Sequence, residues 1–306
     1  MAVRRTIVSF AAMGTDCSIE LVGEPALVSA ASDAAIAEVE RIEARYSRYR
    51  PDSFLSEINR VGALGGTIAV DDETAFFLDA AFAAWVNSEG AFDITAGVLN
   101  RAWKSFDGDL PQQADIDRLL PLVGLEKLEW RRPVLRFAVA GLEIDFGGLA
   151  KEYAADRAAD ICRRHGVAAG IVNLGGDVAV IGAVGGQGWR IGIRDPRPHV
   201  PGATGDAAMA YMELTSGGLA TSGDYARCIT VGDKRYGHIL DPRSGWPVEG
   251  LSSVTVAAES CMLAGLQATI AMLKGRIGAE WLTGRSKTFL VLDAEGAILA
   301  QCGMLS

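Results

Sequence analysis

The sequence is poor in cysteine, histidine and long apolar runs, and each shortage excludes a class of protein. Its 306 residues include five scattered cysteines, Cys17, Cys162, Cys228, Cys261 and Cys302, with no C-x-x-C pair. An odd number of dispersed cysteines indicates reduced thiols rather than a disulfide framework or a zinc site. No apolar stretch approaches the length of a membrane span. We therefore expect no membrane-spanning segment.

The sequence also lacks an excess of positive charge. Its formal net charge is −9, and a general nucleic-acid surface would need a basic field instead. A nucleotide ligand is not excluded, because one local basic pocket is enough to bind it. The hydrophobic content of 49% and the charged content of 22% are typical of a soluble globular protein.

Targeting and domain signals are equally sparse. Arg4 and Arg5 precede an apolar run, Ile7 to Met13, that is too short for a convincing signal peptide. We therefore expect a cytoplasmic protein. No internal repeat, low-complexity tract or linker is present, so we expect one domain spanning residues 1–306.

Predicted helices and strands alternate through most of the chain, which favours an α/β fold of layered, mixed sheets and helices, with two lobes as an open possibility. The central stretch is Gly141 to Asp177. Leu142, Ile144 and Phe146 alternate with acidic residues, which predicts a half-buried strand. A turn at Gly147-Gly148 follows, and the spacing of apolar residues from Ala150 onward predicts a helix.

Lys151 lies in the first turn of that predicted helix, where the helix dipole disfavours a cation unless an anion is nearby. A glycine turn, first-turn N–H groups and a lysine together form a plausible phosphate cradle. A solvated lysine on an ordinary strand-to-helix turn is the simpler interpretation, since neither the P-loop nor the G-x-G-x-x-G pattern is present. The residues alone favour the simpler interpretation.

Few other residues suggest chemistry. Of the three histidines, His165 and His199 have the context of structural or solvated residues, whereas His238 ends a predicted strand close to Asp241. A histidine near a carboxylate can act as a base or position a phosphate, and a surface histidine is an equally good interpretation. No G-x-S-x-G or H-E-x-x-H motif occurs, so any metal would be a hard, oxygen-bound ion such as Mg²⁺.

Four aspartates lie within two positions of a glycine, proline or threonine: Asp93, Asp145, Asp177 and Asp241. Acidic residues at such places usually cap turns. Four of them together modestly favour a site.

Seven segments, in order along nearly the whole chain, resemble motifs of the ApbE family of flavin transferases. They are AMGTDCSIEL, SRYRPDSFLSEINR, GAFDITAGVLNRAW, DFGGLAKEYAADRAAD, VNLGGDVAVIG, ATSGDYAR and RYGHILDPRSGWPV. One such motif would mean little, but seven in register are a specific signal.

The resemblance implies an ApbE-like fold with FAD bound in a cleft. It also implies an FAD:protein FMN transferase that cleaves the FAD pyrophosphate and attaches FMN to a threonine or serine of a target flavoprotein, with Mg²⁺. By motif, His238 would be the catalytic residue that helps to activate the acceptor hydroxyl. The cofactor-binding positions would be Met13, Tyr49, Ala91, Phe92, Asp93, Asp145, Lys151 and Ile239.

The metal-binding positions implied by the resemblance are Gly148, Ala150, Gly265 and Thr269. Two residues depart from the family pattern. The family's K-G-y reads Lys151-Glu152-Tyr153, and its A-D-a-x-a-T has Gly265 in place of the metal-binding aspartate. Losing an anionic ligand should weaken a hard-cation site. There are two alternatives for the missing ligand. Another carboxylate, Asp177 or Glu259, could replace it, or the metal could be held chiefly by FAD phosphates.

Gly265 also motivates two competing functions. One is an FAD-binding protein that stores or delivers FAD without transfer activity. The other is an FAD pyrophosphatase that releases FMN and AMP to water.

Overall fold

The computed structural model describes residues 4–104, 109–197, 208–224, 227–232 and 234–303. The strands within these ranges are β1 (Arg4–Ala12), β2 (Thr15–Gly23), β3 (Thr67–Ala69), β4 (Leu128–Arg131), β5 (Val134–Phe137), β6 (Ala169–Leu174), β7 (Asp177–Gly182), β8 (Trp189–Arg194), β9 (Ala208–Leu214), β10 (Gly217–Gly223), β11 (Cys228–Val231), β12 (Lys234–Gly237), β13 (Leu251–Ala258), β14 (Thr288–Asp293) and β15 (Ile298–Cys302). The α-helices are α1 (Pro25–Tyr46), α2 (Phe54–Leu64), α3 (Asp72–Asn87), α4 (Asn100–Trp103), α5 (Gln113–Leu119), α6 (Ala150–Arg164), α7 (Cys261–Leu273) and α8 (Gly278–Leu282).

One large sheet organises the described part of the chain, with strand order β1-β2-β6-β7-β10-β13-β14-β15. Smaller sheets are formed by β3-β5-β4, by β8-β9 and by β11-β12. The predicted layering of sheets and helices is confirmed. All pairings between these strands are antiparallel, rather than mixed as the alternation of helices and strands suggested.

Helices α1, α6 and α7 cover one face of the large sheet, and the β8-β9 hairpin packs on the other face. The buried face of α6 consists largely of alanines, including Ala154, Ala155 and Ala158, which allows close approach to α1. The Asp156 carboxylate accepts hydrogen bonds from the backbone N–H groups of Cys261 and Met262 at 2.8 and 2.9 Å. This carboxylate at the N-terminus of α7 fixes α7 against α6.

The predicted strand at 142–146 is wrong as a strand, although its burial pattern is as expected. Leu142, Ile144 and Phe146 are fully buried, but among the described residues no strand pairs with this extended segment. The side chain of Asn59 on α2 takes the place of a partner, accepting from the Ile144 N–H at 2.8 Å and donating to the Ile144 carbonyl at 3.0 Å. The alternation of apolar and acidic residues at 142–146 therefore indicates which side chains are buried, and it does not indicate strand pairing.

Replacing Asn59 with alanine should lower the free energy of unfolding by about 2 kcal/mol, because two buried backbone groups lose their partners. Urea unfolding measures the change. Asn87→Ala, on an exposed residue at the end of α3, is the matched control and should change stability by less than about 0.5 kcal/mol. Equal stabilities for the two variants would contradict the role given to Asn59.

The remaining bulk predictions concern thiols and membranes. All five cysteines lie within the described ranges, and no disulfide joins any two of them there. No helix in those ranges combines the length and the apolar character needed to cross a bilayer.

Candidate functional site

Lys151, in the first turn of α6, lies between two carboxylates. Its ammonium group forms a short ion pair with Asp177 and lies 3.4 Å from Oε1 of Glu152. Both carboxylates are buried. One ammonium and two carboxylates give this cluster a formal net charge of −1. An anionic diphosphate would therefore meet a negative cluster unless additional positive charge were present.

Asp177 is held at the start of β7 by the turn that precedes it. Gly175 and Gly176 both have positive φ values, of 66° and 102°, which glycine adopts without the strain of a β-carbon. The carboxylate of Asp177 accepts a hydrogen bond from the Thr221 N–H on β10 at 3.0 Å. Its two oxygens are thus shared between Thr221 and Lys151.

The turn between β1 and β2 lies at the same end of the sheet. Met13 and Gly14 form this two-residue turn with φ values of 55° and 68°, the backbone that a tight hairpin requires. The N–H of Gly175 donates to the Asp16 carbonyl at 3.1 Å, which joins the two turns. A β-carbon built on Gly14 would lie 4.0 Å from Nη2 of Arg227. The Met13 position therefore lies near the segment that leads into His238.

His238 follows β12, and its Nδ1 atom lies 3.3 Å from the carbonyl oxygen of Arg227. A carbonyl oxygen only accepts, so Nδ1 carries the proton and Nε2 is the basic nitrogen. Crowding of the ring by the surrounding chain and, to a smaller extent, the positive charges of Arg227 and Lys151 together lower the pKa of His238 to about 4, although its side chain is exposed at the surface. The histidine is therefore neutral at pH 7. His199 lies outside the described residues.

Asp145 connects the glycine turn before α6 with the segment after α1. Its carboxylate accepts from Nη1 of Arg48 at 2.7 Å and from the Gly147 N–H at 2.9 Å. The same Arg48 nitrogen donates to the Gly97 carbonyl at 3.0 Å. A β-carbon on Gly97 would lie 2.6 Å from that of Asp145, so only glycine permits this approach.

The segment GAFDITAGVLNRAW contains a 3-10 helix at Ile94–Leu99 followed by α4. Asp93 caps that helix by accepting from the Thr95 N–H and hydroxyl at 2.8 and 2.6 Å, and it also accepts from the Leu125 N–H at 2.9 Å. Burial raises the pKa of Asp93, and these hydrogen bonds oppose the rise. The Asp93 carboxylate therefore already accepts hydrogen bonds from Thr95 and Leu125 within the protein.

Ala91 and Phe92 are buried beside the cap at Asp93. A β-carbon on Gly148 would lie 3.3 Å from the Phe92 ring. Phe92 therefore packs against the glycine turn before α6. This contact brings two of the predicted segments together.

Two further predicted residues lie at the edges of this region. Tyr49 is 64% exposed, and its neighbour Arg48 makes the contact with Asp145. Ile239 is partly buried against the core, and its carbonyl accepts from the Val248 N–H at 3.0 Å. Asp241 starts a turn in which its carboxylate accepts from the Arg243 N–H at 2.9 Å.

The predicted metal positions lie where α6 meets α7. Gly265 and Thr269 are one turn apart on α7, and the Thr269 hydroxyl lies 2.9 Å from the Ser222 hydroxyl. A β-carbon on Gly265 would lie 2.6 Å from Cγ of Glu152. Oε2 of Glu152 is buried and has no hydrogen-bond partner among the described residues. A carboxylate oxygen in need of a partner beside a hydroxyl oxygen is a donor set that fits Mg²⁺.

Within the described ranges, no group of three or more His, Cys, Asp or Glu side chains could hold a metal by itself. This matches the chemistry of Mg²⁺, which commonly takes only one or two carboxylates and completes its coordination with waters and substrate phosphates.

The sequence patterns assigned no role to Arg48, Asn59 or Arg227, and they marked Glu152 only as a departure from the family motif. Arg48 and Asn59 both lie in the segment SRYRPDSFLSEINR, whose match to the family motif was the one signal for them. The contact between Glu152 and Gly265 joins two residues that are distant in sequence, and local patterns carry no signal for it.

Comparison with known proteins identifies related chains. The profile of the ApbE family matches residues 13–291. An FAD:protein FMN transferase of Klebsiella pneumoniae (strain 342) is 32% identical over 250 residues, covering 78% of this chain and 76% of the relative. One from Salmonella typhimurium is 29% identical over 280 residues, covering 81% and 78%.

Solved structures agree with these matches. The crystal structure of the ApbE protein from Thermotoga maritima superposes with a TM-score of 0.86 at 31% identity, covering 98% of this chain and 97% of that one. The flavin transferase ApbE from Vibrio cholerae gives a TM-score of 0.84 at 26% identity, covering 98% of both chains.

Proposed function

The chain belongs to the ApbE family, and from that premise we propose that it is an FAD:protein FMN transferase acting on FAD and a protein acceptor. Curated relatives that match most of the chain carry this activity. The observation that carries the proposal is a chain of contacts between His238 and the glycine turn before Asp177. His238 lies against the Arg227 carbonyl, and the Arg227 side chain lies at the Gly14 turn. The strand after that turn bonds to Gly175, two residues before the Asp177 that pairs with Lys151. A base beside a site for a diphosphate is the arrangement that this transfer needs.

The proposed acceptor is a threonine or serine hydroxyl of a target flavoprotein. Its oxygen forms a bond to the phosphorus of the FMN half of FAD, the bridging P–O bond breaks, and AMP leaves. The hydroxyl proton passes to Nε2 of His238, which is the unprotonated, basic nitrogen when Nδ1 donates to the Arg227 carbonyl. The depressed pKa keeps this nitrogen unprotonated at neutral pH.

The other residues are assigned positions around FAD. Lys151 and Asp145 flank the glycine turn before α6 and would hold FAD around that turn. Met13, Tyr49 and Ile239 would contact the flavin or adenine rings. Ala91, Phe92 and Asp93 would contribute backbone groups, since the Asp93 carboxylate is already engaged. These assignments form one cleft within the single domain, residues 1–306, that we propose for the chain.

We propose that Mg²⁺ binds with Thr269 and with carbonyl groups near Gly148 and Ala150. When bound, Mg²⁺ supplies positive charge that neutralises the diphosphate. The net charge of −1 on Lys151, Asp177 and Glu152 supports a need for such a cation. The residues present hold the substrate, exclude water and move the acceptor proton.

Incubating the purified protein with FAD, Mg²⁺ and a panel of flavoprotein domains should produce one acceptor whose mass rises by one FMN. Peptide mapping should place the adduct on threonine or serine. Acceptor domains with the modified residue changed to alanine are the matched control and should gain no mass. FMN and AMP released without an adduct would indicate the pyrophosphatase instead. FAD bound without turnover would indicate a storage protein.

A further inference from the structure

The two departures from the family pattern lie in contact with each other. By the motif resemblance, glycine is expected at the position of Glu152 and aspartate at the position of Gly265, whereas this chain has glutamate and glycine there. A β-carbon on Gly265 would lie 2.6 Å from Cγ and 3.3 Å from Oε1 of Glu152. The space beside Gly265 is therefore filled by the Glu152 side chain.

Glu152 has the properties of a ligand that lacks its cation. Its side chain is 9% exposed, and its Oε2 atom is buried without a partner among the described residues. Oε1 has only a long contact, 3.4 Å, with Lys151. A buried carboxylate oxygen with no partner is costly, and a hard cation would satisfy it.

We infer that Glu152 provides the anionic ligand for the divalent cation, delivered from α6 in place of an aspartate on α7. The inference rests on the proposed function, because the cation belongs to the FAD reaction. The helix interface supports it: Asp156 holds the N-terminus of α7 to α6, so the two helices keep Glu152 at Gly265.

The other candidate carboxylates are less suitable. Asp177 already accepts from Thr221 and pairs with Lys151. Glu259 is exposed and precedes the N-terminus of α7. Glu152 is buried and has an oxygen available.

The close contact between positions 152 and 265 also accounts for the two departures from the family motif occurring together. An aspartate at 265 would place its β-carbon closer to Cγ of Glu152 than real β-carbon contacts occur, so the Glu152 side chain would have to move to admit it. Glu152→Gly should remove the ligand, and Gly265→Asp alone should crowd the interface. The double variant Glu152→Gly/Gly265→Asp should restore both the space and the carboxylate.

The test measures Mn²⁺ binding to the FAD-saturated protein by electron paramagnetic resonance, with no acceptor present. Glu152→Gln should weaken Mn²⁺ binding by roughly tenfold or more. The matched control Glu259→Gln removes an exposed carboxylate and should bind Mn²⁺ like the unchanged protein. The double variant should recover most of the affinity that Glu152→Gly loses.

Unchanged Mn²⁺ affinity in Glu152→Gln would overturn the inference, as would failure of the unchanged protein to bind Mn²⁺ at all. If Glu152→Gln does not fold, the Mn²⁺ affinities of Glu152→Gly and of the double variant are compared instead. A double variant that binds Mn²⁺ no more tightly than Glu152→Gly would count against the inference. Mass gain on the acceptor is measured separately, so the transferase proposal stands or falls by its own result.

Discussion

Lys151→Met should lower the free energy of unfolding by about 3 kcal/mol, because the substitution leaves the buried carboxylates of Asp177 and Glu152 without their shared cation. Denaturant unfolding in the absence of ligand measures this loss. The same variant should bind FAD roughly tenfold more weakly or worse, since a charge-assisted contact to the diphosphate is removed.

Lys234→Met is the matched control for the loss of a lysine. Lys234 pairs with Glu249 at 2.6 Å, but the side chains are 54% and 71% exposed, so its removal should cost less than about 1 kcal/mol. The double variant Lys151→Met/Asp177→Asn should regain part of the lost stability, because the unpaired charge is removed while the bond from Thr221 is kept. If Lys151→Met lowers the free energy of unfolding no more than Lys234→Met does, Lys151 does not stabilise the buried carboxylates of Asp177 and Glu152.

Local chemistry made part of this site predictable. The spacing of apolar residues from Ala150 onward predicts the helix that carries Lys151, and that helix runs from Ala150 to Arg164. Serine is a common N-cap residue, and the Ser53 hydroxyl before α2 accepts from the Ser56 N–H at 3.0 Å. These features depend on residues within a few positions of one another, which is why the sequence reveals them.

Features that depend on distant residues were not predictable in the same way. The alternation at 142–146 indicated a strand, yet the backbone of Ile144 bonds to a side chain on α2. The position of Lys151 allowed two interpretations, a phosphate cradle and a solvated lysine, and the structure shows two carboxylates sharing its ammonium group. One of those carboxylates, Asp177, is separated from it by a whole helix and strand. Sequence patterns report which face is buried and where turns occur, but not which polar group satisfies which partner.

The same limit applies to function. Gly265 considered alone suggested a damaged metal site and favoured a protein that only binds FAD. The contact with Glu152 provides a carboxylate at that place, which removes the physical reason for expecting a loss of activity. Whether a missing ligand matters therefore depends on what fills the space that it left.

His238→Ala should lower the rate of FMN transfer roughly a hundredfold or more, because no base remains to accept the hydroxyl proton. Single-turnover transfer to the acceptor found above measures this rate. Since the ring is placed to act on the acceptor rather than on FAD, FAD affinity should change by less than about twofold. His165→Ala, on the exposed residue that ends α6, is the matched control and should transfer FMN at the normal rate.

The pH dependence separates a base from a residue that only shapes the cleft. The base works unprotonated, and the pKa of His238 is lowered from its ordinary value to about 4. Transfer in the unchanged protein should therefore be constant between about pH 6 and 8 and decline below about pH 5, as the ring gains a proton. Added imidazole should restore part of the activity of His238→Ala, with an increase toward higher pH that follows imidazole deprotonation. His238→Ala could instead transfer FMN slowly, still lose activity below about pH 5 as the unchanged protein does, and not respond to imidazole. That result would place the proton acceptor elsewhere in the cleft.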